Sequence, residues 1–345
     1  MRIIVDDAVF RGDRGLEHHA DLLALFRLGL ARHNTIEVDP ARSDLFSQWV
    51  AREGEQTQRL CRQVVEQGVK RRARQRRIRT VRVADTETAA WGGVEPRLPP
   101  PQAVRFLQRP LALLLENSRN DRNFLMTITR LASNFDLRKL IADRVIEIRS
   151  NGGVDENRMC LEGIEREESY RLWVMCDSDA LCGWSWPKDG SAPGELGSTA
   201  RELRDACTGG RVPIHVLQRR SIDNYVPLPL FEHWSFQDQQ KRERIYQALA
   251  SLVEDQRYHY NMKDGFSKKR DRNYASSPNS IYEGLDPGVR EALERGLNTR
   301  DFSVTMLFDE DERRAKGLPL PERWLLQDKQ HEEAQRIVQS ILELL

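Results

Sequence analysis

A chain of 345 residues, 39% hydrophobic and 31% charged, has enough apolar material for a full-sized core and exceeds the usual single-domain range. Its mean hydropathy of −0.64 and the lack of any apolar run near the roughly 18 residues of a span exclude a membrane-embedded class. With 54 basic against 53 acidic residues, net charge gives no argument for a polyanion partner, so local charge distribution must carry any such reading.

The opening MRIIVDD predicts a short strand ending in Asp6 and Asp7, acids that either mark a site or cap a loop. Two acids so early leave no room for a secretory segment, which points to the cytoplasm. Leu22, Leu23, Leu25, Phe26 and Leu28 predict a helix over residues 16–30, and HNTIEVDP predicts a second strand. One long polar helix is expected over 45–77. It runs into the dense basic block KRRARQRRIRTVR, from Lys70 to Arg82. That block reads either as a phosphate-tracking surface, with Lys70, Arg71 and Arg72 as nucleic-acid contacts, or as a solvated helix face. The Gly- and Pro-rich ADTETAAWGGVEPRLPPPQ is the linker candidate, closing an N-terminal α/β accessory domain near residue 100.

Beyond it, strands alternate with helices, so an α/β domain with a mainly parallel sheet flanked by helices is expected over 101–275. PLALLLE, VIEIRSNGG, YRLWVMCDSDA and VPIHVLQRRSIDNYVP read as its strands, and a loop rich in Gly, Ser and Pro is expected from Trp184 to Gly197. Residues 276–345 read as a helical extension. Its apolar stripe of Ile337, Val338, Ile341, Leu342 and Leu345 suits docking in cis or a homo-oligomer. The five cysteines are scattered and show no CxxC pair, indicating neither a disulfide framework nor a zinc ribbon.

In parallel α/β sheets ligands bind beyond the carboxyl ends of the strands. Glu116 closes LALLLE, and Asp177 and Asp179 close LWVMCDSDA, where strand alternation sends residues two apart to one side. Oxygen donors of this kind suit Mg²⁺ or Mn²⁺ bridging to phosphates. D-S-D alone is equally a polar strand end entering a turn; the accompanying Glu116 and Asp223 favour the metal reading. The segment HVLQRRSIDNYVP adds Arg219, Arg220 and Asp223, two phosphate-seeking guanidiniums and a further carboxylate. Downstream, Lys263 could neutralise charge developing on a phosphodiester, and Lys268, Lys269 and Arg270 extend the basic surface.

This order of pieces resembles the TOPRIM fold of topoisomerases, primases and OLD-like nucleases, over roughly residues 108–270. LLLENSRNDRNFL is similar to the first motif, with Glu116 and Asp121 in its acidic positions; VMCDSDA is similar to the second, and RRSIDNY to an acidic position that OLD-like members carry after the third strand. Asn117 stands where the family usually has Gly, and Asp121 lies one residue beyond the commonest spacing. The resemblance implies a Mg²⁺-dependent nuclease acting on DNA or RNA, tRNA included. Glu116 would assist proton transfer or bind metal, and Asp121, Asp177, Asp179 and Asp223 would be metal ligands. No GxxxxGK[ST] loop is present, so the ATPase activity common in the OLD-like group is expected from a separate partner, as in anti-phage defence systems that pair an ATPase with a TOPRIM effector. The alternatives are a non-catalytic nucleic-acid-binding or regulatory subunit, or a topoisomerase- or primase-type enzyme. Topoisomerases need a nucleophilic Tyr on another domain, and primases usually need a zinc module.

Overall fold

A computed structural model of the chain describes residues 1–30, 34–38, 44–72, 79–92, 95–133, 136–183, 196–231, 239–297, 308–315, 317 and 330–345. The fold is α/β, with two four-stranded parallel sheets. It divides into a first unit of Met1–Leu111, Glu165–Leu172 and Gln339–Leu345 and a second of Ala112–Ile164 and Trp173–Val338. No helix among the described residues is long and apolar enough to cross a membrane.

The first unit's sheet has the order β2-β1-β3-β4, with β1 at Arg2–Val5, β2 at Thr35–Val38, β3 at Thr80–Val83 and β4 at Arg97–Leu98. Every pair in it is parallel, with Ile3 opposite Ile36 on one side and Val81 on the other. Phe10, Phe26, Phe46 and Trp49 gather over it, the Phe10 ring lying 5.2 Å from Phe46 and 5.3 Å from Trp49. Offset contacts of this kind stabilise beyond their buried area.

Three expectations here need correction. Over its described residues the polar helix expected over 45–77 is two helices, Asp44–Ala51 and Glu55–Arg72, parted at Gly54, while 73–77 lie outside the described residues; a residue without Cβ is the weakest point of a helical run. The basic block is not helical throughout, because its end is β3, with Val81 and Val83 buried on the period of two that V-R-V already carried. Nor is the Pro-rich segment a simple linker. Arg97–Leu98 pairs with β3, and Pro99 caps the helix Pro100–Gln108, whose first positions need no N–H donor.

The second unit's sheet has the order β6-β5-β7-β8, with β5 at Leu111–Leu114, β6 at Ile146–Arg149, β7 at Leu172–Cys176 and β8 at Ile214–Val216. The central strands β5 and β7 are buried at every residue, as parallel strands covered on both faces must be. Their carboxyl ends therefore emerge side by side from the apolar interior. Around them lie the helices Asn120–Ser133, Val154–Glu162 and Ser198–Gly210. Most of the expected Gly-rich loop, 184–195, lies outside the described residues.

Candidate metal centre

Glu116 leaves β5 one residue past Leu115, whose N–H still pairs with the Arg149 carbonyl of β6 at 2.9 Å. The strand exit is pinned from behind. The fully buried Asn157 donates Nδ2 to the Leu115 carbonyl at 3.0 Å, and Ser150 Oγ donates to the Glu116 carbonyl at 3.0 Å. So held, the Glu116 side chain reaches across to β7, where Oε1 accepts the Asp177 N–H at 3.1 Å.

Asn117 then turns the chain into the helix Asn120–Ser133. Its Oδ1 accepts from the N–H groups of Arg119 and Asn120, both at 2.9 Å, capping amides that the helix cannot satisfy itself. The Asn117 side chain thus supplies a helix-start acceptor. Its own N–H donates to Asp121 Oδ2 at 3.0 Å, folding that buried carboxylate back toward the strand end.

On β7, Asp177 Oδ1 accepts the Ile222 N–H at 3.1 Å. Ser178, with no exposed surface, donates Oγ to the Arg219 carbonyl at 2.9 Å. Asp179 donates its N–H to the Arg220 carbonyl at 2.9 Å and adopts a left-handed φ of 50°, a conformation costly for most side chains but tolerated by Asp. A Cβ on Gly197 would stand 2.5 Å from that of Asp179, so only glycine fits beside this turn. Asp223 sits in the 3-10 turn Ile222–Tyr225, closed by Ser221 and Asn224.

These side chains repel one another. Burial, then the charges of Asp121 and Asp179, push the Glu116 carboxyl up to about 8. Burial, then Glu116, Asp121, Asp179 and Asp223, hold Asp177 well above the usual range. Burial raises Asp121 to about 6 and Asp223 to about 6, Lys263 opposing the shift at Asp223 and Asp121 adding to it. Glu116, Asp121, Asp177, Asp179 and Asp223 thus form one electrostatic group, and among the described residues none of them makes an ion pair. The donor set is all oxygen and in surplus negative charge, the chemistry of a hard divalent cation site. Among the described residues no three His, Cys, Asp or Glu side chains already stand where one ion could be held. Glu116, Asp121 and Asp177 each give one oxygen to a backbone N–H instead.

The basic residues divide. Lys263 is exposed and acts on Asp223, and Arg270 donates to the Asp179 carbonyl at 2.5 Å, so both belong to the acidic rim. Lys268 and Lys269 are exposed, Lys268 pairing with Asp264 at 2.8 Å. The expectation that Arg219 and Arg220 face phosphates is corrected, since both are buried. Arg219 lies over the Tyr258 ring at 3.6 Å and the Tyr225 ring at 4.9 Å and donates to the Asn224 carbonyl, while Arg220 forms a two-pronged pair with Asp271. Two adjacent arginines at a strand exit do not distinguish a guanidinium turned inward from one turned out. In the first unit, Lys70 pairs with Glu66 one helical turn away at 2.5 Å, on a solvated face. The side chains of Arg71 and Arg72 lie outside what is described.

Sequence reasoning missed Ser178, Gly197 and Asn224. Asn224 Nδ2 ties the Asp223 turn to the carbonyls of Arg257 and Tyr260, at 3.0 and 2.9 Å. Ser178 lies between two acids and Asn224 follows one, a place that could have flagged them, whereas Gly197, between Leu196 and Ser198, carried no such signal.

Compared with family models, with curated proteins and with solved structures, the chain matches none.

Proposed function

We propose that the acidic rim of the second unit is the divalent-metal centre of a TOPRIM-like nuclease of the OLD-like kind. The observation that carries this reading is the meeting of Glu116 with Asp177 and Asp179, from adjacent central strands of a parallel sheet, in a group of acids with no ion-paired cation among the described residues. Isolated buried carboxylates would be paired or replaced by apolar residues in a purely structural rim. Asp177, Asp179 and Glu116 would hold Mg²⁺ or Mn²⁺ once their carboxylates turn toward one ion, with Asp121 and Asp223 at the margin. When bound, the cation supplies positive charge to the scissile phosphate and to the attacking water. Glu116, pushed up to about 8 in the metal-free protein, is placed to give or take a proton near neutrality. Lys263 would meet charge developing on the phosphate, and Arg270, Lys268 and Lys269 would track the nucleic-acid backbone. By the resemblance, the chain would act as an effector beside a separate ATPase in anti-phage defence, on DNA or on RNA such as tRNA.

A second reading, a non-catalytic nucleic-acid-binding or regulatory subunit, is favoured by the backbone N–H groups that already occupy Glu116, Asp121 and Asp177. Incubating the purified chain with DNA, RNA and tRNA in Mg²⁺ or Mn²⁺ separates the two. Cleavage lost in Glu116→Ala is the expected result. Equal inertness of wild type and variant, with the ATPase partner present, overturns the nuclease reading.

A further inference from the structure

The helix Gln330–Leu342 places a charged residue on its apolar face. Glu333 lies one and two turns before Ile337 and Ile341 and is 3% exposed. A carboxylate so deep needs several donors, and all of those it finds come from β8 and the loop that leaves it. Oε1 accepts the Gln218 N–H at 2.8 Å and faces His215 Nε2 at 3.0 Å, and Oε2 accepts the Tyr225 hydroxyl at 2.6 Å. These bonds hold Glu333 below its usual range in spite of burial. The same helix grips the loop again through Gln330 Nε2, which donates to the Tyr225 carbonyl at 3.2 Å. The Tyr225 oxygen in turn accepts the Arg219 N–H at 3.2 Å.

The other side of that loop is what holds the acids. The carbonyls of Arg219 and Arg220 accept from Ser178 Oγ and from the Asp179 N–H, both at 2.9 Å, and the Ile222 N–H donates to Asp177 Oδ1 at 3.1 Å. Residues 217–225 are thus clamped between Glu333 and the D-S-D turn. We infer that Glu333, acting through Tyr225 and the backbone of 218–222, is a positioning residue that sets the two aspartates and Asp223 for metal, an inference that rests on the metal-centre reading above. It is distinct from the ligand set, because Glu333 reaches the acids only through two layers of hydrogen bonds. Partners of this kind, behind the ligands, commonly control metal affinity.

The full chain tests it as Glu333→Gln and Tyr225→Phe, with Val338→Ala as a packing control on the same helix. Glu333→Gln keeps the shape but turns one acceptor into a donor facing other donors; Tyr225→Phe removes a single hydroxyl. Mn²⁺ affinity is measured by calorimetry, and amide exchange over 177–180 and 217–225 by mass spectrometry. In both clamp variants the Mn²⁺ Kd should rise about 10-fold or more, and exchange at Asp179 and Ile222 should quicken. Val338→Ala should lower Tm yet keep wild-type affinity and exchange. Clamp variants with wild-type Kd and exchange, or a control that shifts both as far, overturn the inference. If the wild type takes up no Mn²⁺, the metal reading falls and exchange alone decides: unchanged protection in both clamp variants overturns the clamp, and quickened exchange upholds it.

Discussion

Both sheets place their strands in the same order, the second-, first-, third- and fourth-formed side by side, and in both an acid follows the first and third strands. In the first unit each of these acids is engaged by a cation or a helix start. Asp6, after β1, meets Arg82 of β3 at 2.6 Å and Arg97 of β4 at 3.5 Å, and Asp85, after β3, meets Arg14 at 3.6 Å. Asp7 accepts the Phe46 N–H at 3.1 Å near the start of the helix Asp44–Ala51. In the second unit the matching acids after β5 and β7 meet amides and one another. A shared architecture therefore says little about chemistry. What differs is whether the fold sets arginines or further acids beside the strand ends.

Substitutions that remove acids should separate the two rims most sharply. Glu116→Ala or Asp177→Asn should lower metal-dependent cleavage by about 100-fold or more, whereas Asp6→Asn should leave it within about threefold, measured as initial rates on one substrate. A comparable loss in Asp6→Asn would erase the distinction. Next in size, Gly197→Ala forces a Cβ against Asp179; overpacking of this type costs about 1–3 kcal/mol, to be read from denaturant midpoints, and cleavage should fall about tenfold with it.

The pH dependence of the metal-free protein follows from the raised carboxyls. Glu116 moves from 4.5 to about 8, and Asp121 and Asp223 from 3.8 to about 6. The folded state then holds more protons than the unfolded chain between about pH 4 and pH 8, so stability must fall as pH rises through that window. Metal-free protein should be more stable at pH 5 than at pH 8 by several kcal/mol, and Glu116→Gln should flatten the slope. Mg²⁺ should raise Tm more at pH 8, where the ligands need shed fewer protons. A Tm that climbs from pH 5 to pH 8 without metal would contradict the clustering of these acids. The smallest effect belongs to the paired rim: Arg82→Ala, which leaves Asp6 with Arg97 alone, should cost about 0.5–1 kcal/mol, an amount that high salt should diminish.

Much of the second unit was legible because buried parallel strands are written as unbroken apolar runs. LALLLE and LWVMCDSDA announce both the strands and the acids that end them. The first unit was harder: β3 is four residues inside a basic block, and β4 is two residues inside a Pro-rich one, too short for a period to show. Arg219 and Arg220 misled because the same letters serve a phosphate clamp and a buried cation held by Tyr258 or Asp271. Glu333 left one trace, an acid on the apolar stripe of Ile337 and Ile341, but its partners lie more than a hundred residues away.

From the sequence by itself come the alternation of strands and helices, the acids at the strand ends and the lack of a GxxxxGK[ST] motif, since each depends on local pattern. Tertiary structure alone decided which charges meet. Asp6 and Glu116 follow similar strands, yet one faces arginines and the other faces aspartates, because strand neighbours and helix docking, not spacing along the chain, set the distances over which charges act.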